Sequence, residues 1–136
     1  MRDTVVDHIK TLADAHGELA ESLPDDAFIQ EMSVRSNPIG RQFWWLSGPG
    51  RATPRRLESD AWVGFSCSLP GSATADKTKV VEALRQSAFA FEKVVGQVDW
   101  TGTRDDLLLA LLEHEAQHQG QLIRYVYALS YKFPES

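Results

Sequence analysis

The chain has 136 residues, 43% of them hydrophobic and 24% charged, an ordinary balance for a soluble globular protein long enough to bury one core. The formal net charge of −5, with no basic stripe, argues against a nucleic-acid partner. A lone cysteine, Cys67, excludes an internal disulfide framework, and no run approaches the ~18 apolar residues of a membrane span. No positively charged leader precedes an apolar segment, so the expectation is a cytoplasmic protein with one domain over residues 1–136.

Asp3 or Thr4 can start a first helix that runs to about Ser22, where Pro24 stops it. Its apolar stripe is Val5, Ile9, Leu12, His16, Leu19 and Ala20, interleaved with charged residues. His16 sits near the edge of that stripe and His8 one position off it, so both are expected at the surface or only partly covered. Asp25-Asp26 can begin a short turn. Ser36-Asn37-Pro38 reads as a cap with proline just inside a second helix, which carries Ile39, Phe43, Trp44 and Leu46. Ser47-Gly48-Pro49-Gly50 punctuates it, and the helix can resume at Thr53-Pro54 and carry Arg55 to Ser59. Adjacent Trp44 and Trp45 cannot face the same way on a helix, so one fills the core and the other covers a neighbour or lines a cavity.

Trp62 to Leu69 is the least helical stretch, with Gly64 inside and Pro70-Gly71 after it. It reads as an extended loop or one short strand within an irregular segment near residues 60–72, where Cys67 has no activating base beside it. Arg51, Arg55 and Arg56 form a small cluster that fits either a solvated loop or an anion contact. Thr74 or Asp76 can cap a third helix reaching about Val98, with Val80, Val81, Leu84, Ala88, Phe91 and Val95 inward and Phe89 and Val94 broadening the stripe. Asp99 to Gly102 is a short turn that suits an antiparallel neighbour. Thr103 to Ser130 forms the last helix, with Asp105 and Asp106 at its positive end. Three long helices and one shorter or broken one predict an all-α four-helix bundle.

On the last helix Leu107, Leu111, His114, His118, Leu122, Tyr125 and Leu129 share one face, which places two imidazoles in the middle of the stripe expected to point inward. His114 and His118 are roughly 6 Å apart along the axis at 1.5 Å per residue, so one helix can offer both to a single metal ion. Zinc, nickel or iron in an open site usually takes a third protein ligand from elsewhere. Glu113, Glu115, Gln117, Gln119 and Gln121 surround the pair and could orient the rings through the nitrogen not on the metal.

The run Glu113 to Tyr125, EHEAQHQGQLIRY, resembles the last-helix signature of the DinB-like (YfiT-type) four-helix-bundle superfamily. Ile39 to Leu46, IGRQFWWL, is similar to that family's second-helix segment, and Trp62 to Ser68 resembles a stretch of one uncharacterised branch. The resemblance implies an up-down-down-up bundle and a divalent metal, often zinc or nickel, held by three histidines, two of which match His114 and His118. It also implies a homodimer and thiol-dependent transferase or related hydrolase-type chemistry with a low-molecular-weight thiol. The third family histidine falls on Trp45, whose indole nitrogen has no lone pair for a metal. Gln42, Glu92 and His16 are candidate substitutes, and Gln42, Trp45 and Gln121 are expected to line the pocket. The alternative is a metal-free member that binds a small molecule or acts as a dimeric interaction protein. In that case aromatic residues such as Trp44, Trp62, Phe65 and Trp100 would bury the interface.

Overall fold

The computed structural model describes residues 2–47, 69–97 and 104–135. Among the described residues four α-helices carry the fold: α1 (Arg2–Ser22), α2 (Ile39–Ser47), α3 (Lys77–Val95) and α4 (Arg104–Ala128). Single turns of 3-10 helix at Asp25–Ile29 and Gly71–Ala73 precede α2 and α3, and no strand occurs among the described residues. The resumed helix at Thr53, the Trp62–Ser68 segment with Cys67, the arginine cluster, Trp100 and the Thr103 cap lie outside the described residues.

The helix directions follow from which residues meet. Arg2 pairs with Asp105 and His16 with Glu115, so α1 and α4 run the same way. Lys10 pairs with Glu92 near the end of α3, while Lys77 at its start reaches Leu23, so α3 runs against α1. Gln42 meets His118 and Asn37 meets Tyr125, so α2 runs against α4. The result is an up-down-down-up bundle. Both α1 and α2 pack against α3 and α4, which sets α1 and α2 at opposite corners. The last two helices do run in opposite senses, but their principal partners are α1 and α2 rather than each other.

Local chemistry sets the ends. Pro24 halts α1, and the Lys77 ammonium donates to the Leu23 carbonyl at 2.6 Å, satisfying an acceptor that the helix end leaves open. Asp76 caps α3 by accepting from the Lys79 amide at 3.2 Å. Ser36, read from sequence as a cap, instead accepts from the Met32 amide at 2.9 Å, while the Asn37 carbonyl accepts from the Tyr125 hydroxyl. Gly40 is required by close approach: a Cβ there would lie 2.0 Å from the Thr74 carbonyl oxygen and 2.8 Å from that of Phe28. α3 ends at Val95 with Gly96 as its cap, three residues before Val98. The α4 end closes with Tyr131 donating to Val126 and Ser130 in the left-handed region at φ 58°.

Two apolar clusters divide the core. One joins the late part of α1 to α2, early α3 and late α4, around Phe28, Ile39, Phe43, Val80, Leu122 and Val126. The other joins Val6 and Ile9 to Phe91, Leu108 and Leu111 at the opposite end. A polar layer lies between them. His16 falls between Ile9 and Leu19, Ser87 between Leu84 and Phe91, and Glu115 between Leu111 and Leu122, all buried. Phe89, expected to broaden the α3 stripe, is 69% exposed; two residues from buried Phe91, it lies on nearly the opposite helix face.

Candidate functional site

The polar layer is built from three helices. In α4 the buried face is Leu108, Leu111, Glu115, Leu122, Tyr125 and Val126. The stripe is therefore turned by about one residue from the sequence expectation, and Glu115 rather than either histidine occupies its centre. His114 and His118 flank it half-buried, with ring centres 4.5 Å apart and planes tilted by 54°. Both imidazoles thus sit at the edge of the core, reachable from outside, while the carboxylate is 5% exposed.

Glu115 lies between two imidazoles, and His16 is the closer. His16 Nδ1 lies 3.1 Å from Oε2, and His114 Nδ1 lies 3.6 Å from Oε1. Burial alone would push this carboxyl up, but the His114 and His16 imidazoles beside it hold it below the usual carboxylate range. His16 is 1% exposed, which corrects the expected surface or partly covered position. The physical reason is this partner: an imidazole facing a carboxylate can be taken out of water, whereas an unpaired one resists it. Its other nitrogen, Nε2, has no hydrogen-bond partner among the described residues. A cavity of about 20 Å³ lies beside it, lined by Ile9, Leu46, Leu84, Phe91 and Glu115.

His118 is set by α2. Its Nδ1 lies 3.3 Å from the Gln42 amide oxygen, and Gln42 is buried. An amide oxygen only accepts, so this contact selects the tautomer with the proton on Nδ1 and the lone pair on Nε2. Burial lowers the His118 pKa, the nearby His114 lowers it further, and Glu115 and a hydrogen bond with Gln121 oppose the shift. Of the expected lining residues, Gln42 therefore meets His118, while Gln121 is exposed. Trp45 is 40% exposed, with its ring edge-on to Trp44 at 4.6 Å. Trp44 is the more covered of the two, donating its indole N–H to the Leu69 carbonyl at 2.7 Å beneath the Arg41 guanidinium. Glu92 is exposed and turned to Lys10, and Glu113 and Gln117 are exposed as well.

Among the described residues, no group of three or more His, Cys, Asp or Glu side chains is disposed to hold a metal ion. The two α4 imidazoles and their orienting partners fit such an ion as a two-nitrogen grip, not as a complete ligand set. No described helix is long and apolar enough to cross a membrane. The arrangement offers two imidazoles at the edge of a low-dielectric layer, His118 oriented by an amide and His114 beside a buried carboxylate. His16 and Glu115 were the site members hardest to find in sequence. Their spacing signal existed, since Glu115 stands four after Leu111 and His16 three before Leu19, but a carboxylate at a core position reads as an interruption. No family model and no curated protein matches the chain.

Proposed function

We propose that this protein is a DinB-like divalent-metal-binding bundle, with His114 and His118 as paired ligands for zinc or nickel. The observation that carries the reading is the disposition of the ring nitrogens. His118 Nδ1 meets the Gln42 amide oxygen at 3.3 Å, which favours a lone pair on its Nε2, and the His114 ring lies beside it with ring centres 4.5 Å apart. Metal-binding histidines are typically anchored in this way through the nitrogen that does not bind. A divalent ion there would supply Lewis-acid activation of a bound water or low-molecular-weight thiol, in keeping with a thiol-dependent transferase or a hydrolase-type enzyme. The chain's own part is to fix the His118 tautomer through Gln42 and to keep one flank of the pair dry. Positions that the histidines do not fill belong to water or substrate in this reading.

Metal analysis of untagged protein, after dialysis against zinc or nickel and then buffer, is the direct test. About one ion per chain, lost in His114→Ala and His118→Ala, is expected; a ratio near zero in the unaltered protein would sink the proposal. Trp45 supports a second reading, a metal-free small-molecule-binding or dimeric interaction protein. Its exposed ring on α2 lies beside Trp44, at the position where the family resemblance places the third histidine. That reading expects a dimer by light scattering that Trp45→Ala weakens, with no ion retained.

A further inference from the structure

We infer that the bundle carries a second site, at the edge between α1 and α3, for a small amine with a short apolar body and a hydroxyl at its far end. It lies across the bundle from His118, which sits where α2 meets α4, and it needs no metal. Its deep end is the cavity of about 20 Å³ beside His16. His16 Nδ1 is 3.1 Å from a Glu115 oxygen, and a carboxylate only accepts, so the ring proton lies on Nδ1 and Nε2 is the nitrogen left over. That atom belongs to a side chain 1% exposed and has no hydrogen-bond partner among the described residues. A polar atom buried in this state is costly, so the position selects a partner. The cavity wall is mostly hydrocarbon, from Ile9, Leu46, Phe91 and Leu111, with buried Ser87 and Glu115 as its other polar members. A single water would pair with the nitrogen but face hydrocarbon on its other sides. A hydroxyl on an apolar body meets both, which is how small-molecule sites are commonly built. It also suits the ring in either charge state, because it can donate or accept.

The way out is short. The cavity shares Ala13, Leu84 and Ala88 with a surface groove of about 200 Å³ between α1 and α3. Two of those three side chains are single methyl groups. Gly17 lines the groove as well, and a Cβ added there would meet nothing within 4 Å. The cavity therefore takes the hydroxyl, and the groove takes the body. The outer end is set by charge. Asp14, Glu18 and Glu21 line the α1 side of the groove, and Arg85 opposite them already pairs with Glu21. Asp14 and Glu18 have no ion-pair partner among the described residues, so the rim carries uncompensated negative charge. An ammonium is attracted there and a carboxylate is repelled.

Three probes of one shape separate the contributions: tyramine, phenethylamine, which lacks the hydroxyl, and para-hydroxyphenylacetate, which carries a carboxylate in place of the ammonium. Amide shifts of the metal-free protein, titrated with each, report affinity and place the site. Tyramine is expected to bind saturably at one site and to shift amides of α1 and α3. Loss of the hydroxyl is expected to weaken binding about tenfold, the worth of one hydrogen bond to a buried group. The carboxylate probe is expected to bind more weakly than tyramine by a margin that shrinks as salt is added. His16→Phe is expected to erase the preference for tyramine over phenethylamine. Gly17→Leu places its side chain in the open groove, and is expected to keep the fold while abolishing tyramine binding. Equal affinity of the unaltered protein for tyramine and phenethylamine, or tyramine binding that survives Gly17→Leu, would overturn the inference. So would the absence of saturable binding at millimolar tyramine, which would leave the nitrogen to water alone. None of these measurements involves zinc, so their outcome is independent of the metal reading.

Discussion

Replacing His16 by phenylalanine tests the energetics of the polar layer. The substitution keeps a planar ring, and the adjoining cavity of about 20 Å³ gives the slightly wider side chain room. It strips the closest partner, at 3.1 Å, from a carboxylate that is 5% exposed. Breaking a buried pair from one side costs about 3–5 kcal/mol, because the remaining charge is uncompensated. His114 stays 3.6 Å from the other oxygen, which places the expected loss at the lower end, about 3 kcal/mol. For 136 residues, with unfolding entropy of about 2.1 cal/mol/K each, that lowers Tm by about 10 °C. Glu115→Met alone leaves the buried imidazole without its acceptor and costs less, about 1–3 kcal/mol. The double variant His16→Phe/Glu115→Met removes both groups and is expected to regain most of the loss, with a coupling of more than about 2 kcal/mol. Urea titrations of all four proteins at pH 7.5, with matching thermal scans, supply the cycle. Additive single effects, or a His16→Phe protein as stable as the parent, would refute a buried, mutually compensating pair.

Three further outcomes follow from the geometry. Gly40→Ala forces a methyl to within 2.0 Å of one backbone oxygen and 2.8 Å of another, so α2 must move; a loss of at least about 2–3 kcal/mol in denaturant stability is expected. Ser130→Gly relieves a non-glycine residue at φ 58° and is expected to raise stability by about 0.5–1 kcal/mol, seen as a higher urea midpoint at unchanged slope. Acid is expected to weaken the metal-free fold in two stages. His118 and Glu115 both have folded pKa values below their unfolded ones, so the unfolded chain binds more protons and stability falls with pH: first from about 6.5 downward for His118, then from about 4.5 downward for Glu115. Urea midpoints between pH 8 and 4 check this, and His118→Phe should flatten the upper stage; a midpoint rising between pH 7 and 5 would contradict the sign.

The local rules of the chain determined a great deal by themselves. Periodicity and punctuation located four helices and their approximate ends, because Pro24 stops α1, Asp76 caps α3 and a proline-free run sustains α4. The four-residue spacing of His114 and His118 fixed their adjacency on one helix whatever that helix packs against. Tertiary structure decided which way that helix is turned. A rotation of about one residue moved Glu115 to the centre and both histidines to the rim, and hydrophobic spacing cannot resolve such a rotation when one core position is charged. The same packing brought His16 to Glu115 from α1, and Gln42 to His118 from α2, across 99 and 76 positions of sequence. Such long-range polar partners leave no periodic trace in a chain. They become readable only once burial has withdrawn water and made each polar group's choice of partner energetically decisive.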